Sequence, residues 1–252
     1  MCGIFCAVSH GQPVWPSSEL QHLLQHRGPD SCGTCQATVS ATPDAHAQGD
    51  VHITFFSTVL SLRGDTTVHQ PLQRGESRAT LCWNGEAWSV NNLPTSGNDT
   101  QAVLNLLYDT TDWPNVGRGN GMEKISHAKR IATRMSQITG PYAFVFHDAA
   151  NNLLFFGRDF LGRRSLLVTI TGDNAILISS MAGSPSTGTW HEVEADGLYC
   201  LDLDKSSGNT CNPPKMERLG RFPMLRLPYH TATDEVGNIR TAVGQHNPSM
   251  SI

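Results

Sequence analysis

The chain has 252 residues, 38% of them hydrophobic and 16% charged, with a formal net charge of −4. This is the composition of one large globular domain or two small ones, with no basic face for nucleic acid or an anionic membrane. No run reaches the roughly 18 apolar residues of a membrane helix, and no Lys or Arg precedes the short apolar start as in a secretory signal, so the cytosol is the expected compartment.

Met1-Cys2-Gly3-Ile4-Phe5 opens the chain. Cys2 is small enough for Met1 to be clipped. Removal would put a thiol nucleophile and an α-amine, with a pKa of roughly 7.7–8.0, on one residue. The other reading makes Cys2 a small buried residue at the start of a strand. Cys2 to Ser9 is apolar and predicts that strand. Ser17 or Ser18 caps a short helix with Leu20, Leu23 and Leu24 on its buried stripe, ended at Arg27-Gly28-Pro29-Asp30. Residues 36–50 read as a loop, and Val51 to Leu62 as a strand.

Two short strands, Ala79 to Trp83 and Glu86 to Val90, flank Asn84-Gly85, which predicts a hairpin turn. Gly97-Asn98-Asp99-Thr100 opens a helix to about Asp109, with Ala102, Val103, Leu106 and Leu107 inward. Thr110 to Gly121 is a polar connection, and Glu123 to Ile138 a further helix. From Gly140 the pattern becomes an antiparallel meander, with strands at 142–147, 153–157, 166–171, 175–180 and 197–203. This order predicts an α+β fold, antiparallel sheet covered by helices. Residues 206–252 read as a Pro-containing linker or loosely packed tail.

Seven cysteines, an odd number spread along the chain, argue against a disulfide framework. Cys32-Gly33-Thr34-Cys35 has C-x-x-C spacing, but no second ligand pair completes a zinc site. Two incidental thiols are favoured over a redox pair. No metal and no cofactor is expected.

Six stretches together resemble the glutaminase domain of class II, N-terminal-nucleophile glutamine amidotransferases. They are Met-Cys-Gly-Ile at the start, Arg27-Gly28-Pro29-Asp30, Asn84-Gly85-Glu86, Gly97-Asn98-Asp99, Gly140-Pro141-Tyr142-Ala143-Phe144, and Gly157-Arg158-Asp159 with Leu161-Gly162-Arg163. The Arg-Gly-Pro-Asp form is similar to asparagine synthetase. The run from Gly157 to Leu167 looks closest to the asparagine synthetase domain-containing branch. The resemblance covers about residues 2–203, and implies a glutaminase domain over 2–205 with a four-layer αββα sandwich of two antiparallel sheets.

It also implies roles. Cys2 attacks the side-chain amide carbon of glutamine while its own α-amine takes the proton. The Asn84 side-chain amide and the Gly85 backbone N–H hold the oxyanion. Asp99 pairs with the substrate α-ammonium, with Glu86 beside it in the binding set. The family's carboxylate-binding arginine falls at Val59 by spacing from Gln70-Pro71-Leu72. Arg63 either takes its place, by two-point pairing, or is a surface charge on a turn. Charges in the other motifs, among them Arg27, Asp30, Arg158, Asp159 and Arg163, are expected to be structural pairs.

Asparagine synthetases continue into an ATP-pyrophosphatase domain with an S-G-G-x-D-S loop, and this sequence has none. Three explanations stay open: a truncated product, a separate synthetase domain or subunit as partner, or another use. The expectation is a glutaminase releasing ammonia for asparagine biosynthesis. A catalytically degenerate domain acting as a binding or regulatory module is the alternative.

Overall fold

The computed structural model describes residues 1–40, 49–75, 79–111, 121–184, 187–204 and 217–230. The chain starts with β1 (Gly3–His10), α1 (Ser18–Arg27), β2 (Ser31–Val39) and β3 (Val51–Val59). Next come β4 (Leu72–Arg74), β5 (Ala79–Gly85), β6 (Ser89–Val90) and β7 (Leu93–Pro94). The helices α2 (Asp99–Thr111) and α3 (Gly121–Ser136) follow, then β8 (Ile138–Thr139). The remaining strands are β9 (Tyr142–Asp148), β10 (Leu153–Arg158), β11 (Leu167–Ile170), β12 (Ile176–Ser179), β13 (His191–Glu192), β14 (Gly197–Asp202), β15 (Glu217–Leu219) and β16 (Phe222–Pro228).

Two large antiparallel sheets form. One has the order β13-β11-β12-β1-β3-β2, the other β15-β16-β14-β10-β9-β5-β4, and β7-β6-β8 make a small third. Strand alternation gives each large sheet two apolar faces, and both are covered. Ile4, Cys6, Ile53 and Phe55 of the first sheet meet Cys82, Val145, Leu154 and Phe156 of the second in the central core. On the outer face of the first sheet, Leu20 and Leu24 of α1 pack on Phe5, Ala7, Phe56 and Leu177. On the outer face of the second, Val103, Leu104 and Leu107 of α2 and Ala128, Ile131 and Met135 of α3 pack on Leu81, Trp83 and Phe144. The result is the expected α+β sandwich, layered αββα. Each buried leucine contributes about 1.5–3 kcal/mol. Ser17 caps α1 by accepting from the Leu20 N–H, as one of the two readings of that cap had it.

Five expectations change. Residues 31–39 form an edge strand where a loop was expected to begin at 36: Cys35, Ala37 and Val39 face the core, and the alternate positions are polar or Cys32. Residues three apart on a strand point to opposite faces, so Cys32 is exposed and Cys35 half-buried, and both thiols are free. Asn84-Gly85 is the last pair of β5, not a hairpin turn. It lies opposite Ala143 and Tyr142 of β9. The strands after 140 are not one meander: β9 and β10 pair, the chain crosses to the other sheet for β11 and β12, and β14 returns to pair with β10. The segment read as a tail supplies β15 and β16, and β16 pairs along β14 from Gly197↔Pro228 to Leu201↔Met224. The second helix also buries Val103, Leu104 and Leu107, with Ala102 and Leu106 only half-buried. Most of the Thr110 to Gly121 connection lies outside the described residues.

Candidate active site

The Arg27-Gly28-Pro29-Asp30 turn ties the chain's start to the exit of β3. Gly28 is required by closeness: a Cβ there would lie 2.5 Å from the Thr58 carbonyl carbon and the Val59 nitrogen. The Asp30 N–H donates to Val59 O, and Asp30 Oδ2 accepts from the Ser61 N–H at 2.7 Å. Arg27 Nε donates to Cys2 O at 3.3 Å, and the Met1 amine donates to Arg27 O at 3.2 Å. Both charges of the motif thus hold backbone. Cys2 then sits beside the segment Asp30 has fixed, its thiol donating to Leu60 O at 3.8 Å. Cys2 is buried, and burial pushes its thiol above the ordinary value. Burial also lowers the Met1 amine.

Cys2, Arg63, Asn84, Gly85, Glu86 and Asp99 line one pocket of about 480 Å³, part of it open to solvent. The six residues singled out from the sequence are therefore brought together. Asn84 is 1% exposed, and its Nδ2 has no hydrogen-bond partner. Gly85 is required by the start of β9, since a Cβ there would lie 2.6 Å from Tyr142 Cβ and 2.7 Å from Pro141 O. Asp159 fixes that start, accepting from the Tyr142 N–H at 3.0 Å and from the Leu161 and Arg163 N–H groups of its own loop. Asn98 caps α2 by accepting from the Thr100 and Gln101 N–H groups, and this places Asp99 at the helix start. Asp99 is buried, and its Oδ2 accepts from Trp83 Nε1 at 3.0 Å and the Ala87 N–H at 2.9 Å.

Arg63 lines the pocket with its guanidinium partly engaged: Nη1 donates to Ala87 O at 2.7 Å and Nη2 to Thr95 O at 3.3 Å. Sequence reasoning gave no role to Gln70, Thr100 or Arg164, which also line the pocket. Arg164 pairs with Glu86 Oε1 at 3.2 Å, and its Nη1 lies 3.3 Å from Met1 Sδ. Its place follows from Arg158, which donates to the carbonyls of Gly162 and Arg164 in the loop that follows β10 and to that of Val193. Gln70 carried one signal, a carboxamide directly before the proline of the Gln70-Pro71-Leu72 element.

A thiol, a buried amide donor without an acceptor, a carboxylate and a guanidinium on one concavity suit a small substrate with both an ammonium and a polarisable carbonyl. Among the described residues no group of three or more His, Cys, Asp or Glu is placed to hold a metal ion, and no helix is long and apolar enough to cross a membrane.

Comparison with known proteins places the chain in a family. The chain is 30% identical over 244 residues to mouse asparagine synthetase domain-containing protein 1, covering 94% of this chain and 34% of that protein. The human protein of the same name is 30% identical over 217 residues, 84% of this chain and 30% of the relative. The chain thus spans about a third of the length of the curated relatives it matches. Among solved structures, glutamine phosphoribosylpyrophosphate amidotransferase from B. subtilis superposes with a TM-score of 0.53 at 17% identity, over 91% of this chain and 49% of that one. The N-terminal-nucleophile amidotransferase fold is shared. The sequence model of the family described as glutamine amidotransferase domain matches residues 58–184, and the chain belongs to that family.

Proposed function

We propose that this chain hydrolyses L-glutamine to glutamate and ammonia through a thioester on Cys2. The observation that carries the reading is the unpartnered Asn84 amide in the wall of the pocket that also holds the Cys2 thiol. A buried donor left without an acceptor costs about 1–3 kcal/mol, a cost that is recovered where an acceptor arrives during reaction.

In the proposed reaction Met1 is removed, so that the α-amine belongs to Cys2. The thiol, held up by burial, gives its proton to this amine, and sulfur attacks the glutamine Cδ. Negative charge builds on the amide oxygen and is held by Asn84 Nδ2 and the Gly85 N–H. The C–N bond breaks, the amine's proton goes to the departing nitrogen, and ammonia leaves a thioester. Water, deprotonated by the same amine, cleaves it to glutamate and restores the thiol. Asp99 receives the substrate ammonium, with Glu86 beside it, and the remaining N–H groups of Arg63 receive the carboxylate.

The ammonia serves an amidation of asparagine-synthetase type, in the cytosol, on a synthetase domain or subunit outside these residues. The names and greater length of the curated relatives support this part. Assaying glutamate release by wild type and Cys2→Ala tests the chemistry: activity in the first and none in the second is expected, and equal activity removes the mechanism. Intact mass reports whether Met1 has left.

A silent binding module is the second reading, and one observation favours it. Arg63 already spends two N–H groups on the carbonyls of Ala87 and Thr95. An unchanged melting temperature in millimolar glutamine, together with a retained Met1, would select it.

A further inference from the structure

Gln70 is 2% exposed and lies where the β4–β5 ladder, whose last pair is Leu72↔Leu81, has run out. Its side chain takes over from the strand. Gln70 Oε1 accepts from the Trp83 N–H at 2.6 Å, and Gln70 Nε2 donates to Thr100 Oγ1 at 3.4 Å. Trp83 immediately precedes Asn84, and Thr100 immediately follows Asp99. The Trp83 indole closes the circuit by donating to Asp99 Oδ2 at 3.0 Å. β5, which carries the amide, and α2, which carries the carboxylate, are therefore joined by one buried carboxamide and one indole. Gly33 packs against the backbone of Gln70, where a Cβ would lie 2.6 Å from Gln70 O. This contact seats the Gln70 backbone against β2.

We propose that Gln70 is a positioning residue that fixes the span between Asn84 and Asp99, and so the length of amino-acid amide the pocket accepts. This rests on the glutaminase reading above. If Asp99 holds the α-ammonium and Asn84 the side-chain oxyanion, the span between them counts the methylenes separating the two groups. Glutamine has two and asparagine one. A span held at both ends by buried hydrogen bonds discriminates between them, and a loosened span does so less.

The test compares wild type with Gln70→Met, which keeps length and apolar bulk but leaves the Trp83 N–H without its acceptor. Thr100→Val, which removes only the second bond, is the milder variant and decides alone if the first does not fold. Two readouts are taken. One is the Trp83 indole N–H resonance, assigned with Trp83→Phe. The other is kcat and KM for glutamine and for asparagine.

In Gln70→Met the indole signal moves and kcat/KM for glutamine falls roughly ten- to hundred-fold, as expected for a misplacement on the order of 1 Å. Asparagine hydrolysis falls less, so the preference narrows, and Thr100→Val changes both readouts in the same direction by less. A folded Gln70→Met with the wild-type preference overturns the proposal. A wild type inactive on both amides removes the glutaminase reading. The indole then decides the positioning alone: a moved signal supports the link, and an unmoved one overturns it.

Discussion

At the residue scale, the proposed function turns on Asn84. Its amide is enclosed and unpaired in the resting fold, and a group kept in that state is a weak contributor to stability. Asn84→Ala separates catalysis from folding. Removing an oxyanion donor costs about 10²–10³ in kcat, so kcat for glutamine should drop by that factor with KM little altered. The melting temperature should stay within a few degrees of wild type, because no side-chain Nδ2 hydrogen bond is lost. Steady-state kinetics beside thermal melts check both, and an undiminished kcat removes Asn84 from the reaction. Cys2, Asn84, Gly85, Glu86 and Asp99 were legible because each sits in a short motif read along the chain, and Arg63 only as one of two readings of a turn. Gln70 and Arg164 were not, because their roles exist only in space. Gln70 bridges residues 13 and 30 positions away, and Arg164 meets a carboxylate 78 positions away.

The strand β5 shows the same limit at the scale of elements. Asn-Gly between two apolar runs is a strong hairpin signal because Asn and Gly tolerate the positive φ a tight turn needs. Here neither Asn84 nor Gly85 is among the positive-φ residues. The glycine serves a different constraint, the approach of Pro141 and Tyr142 from β9. A contact with a strand that distant in sequence leaves no local trace, so the hairpin expectation failed. The consequence is testable. Gly85→Ala places a methyl against backbone and Cβ atoms that cannot rotate away, and β5 must part from β9 at the end that carries the site. Overpacking of this kind costs about 1–3 kcal/mol. Urea melts should show a loss in that range, and glutamine turnover should fall by more than stability alone explains. A fully stable, fully active Gly85→Ala would mean that the end of β5 is not held as described. The edge strand β2 was missed for a related reason: its exposed face is polar, and its inward face carries small residues.

The whole molecule was legible as layers but not as connections. Helices between groups of strands implied antiparallel sheet covered by helices, and the resemblance to the amidotransferases implied the two-sheet sandwich. The crossing from β10 to β11 and back to β14 joins short strands by loops that carry no directional signal, and β16 lies past a proline-containing stretch that resembles a linker. The joining of the two sheets has its own weak point, His147 of β9. It is 1% exposed, neither ring nitrogen has a hydrogen-bond partner, and its ring stands 6.2 Å from that of Phe55 across the sandwich. Burial lowers its pKa from 6.5 to about 4, the charge of Asp148 opposing the shift only in part. The folded state therefore holds a neutral imidazole over a range where the unfolded chain binds a proton, and stability rises with pH there. The contribution is intact above about pH 6.5, is lost as pH falls through the window down to 4, and changes no further below it. At about 1.4 kcal/mol per unit, the full loss is about 3 kcal/mol. Urea unfolding at pH 7 and pH 5 on wild type and His147→Leu isolates it, because the other titrating groups are common to both proteins. Wild type should lose about 2 kcal/mol more than the variant between those values. Parallel losses would mean that the imidazole meets water or a partner inside the sandwich, and that the acid sensitivity of this fold arises elsewhere.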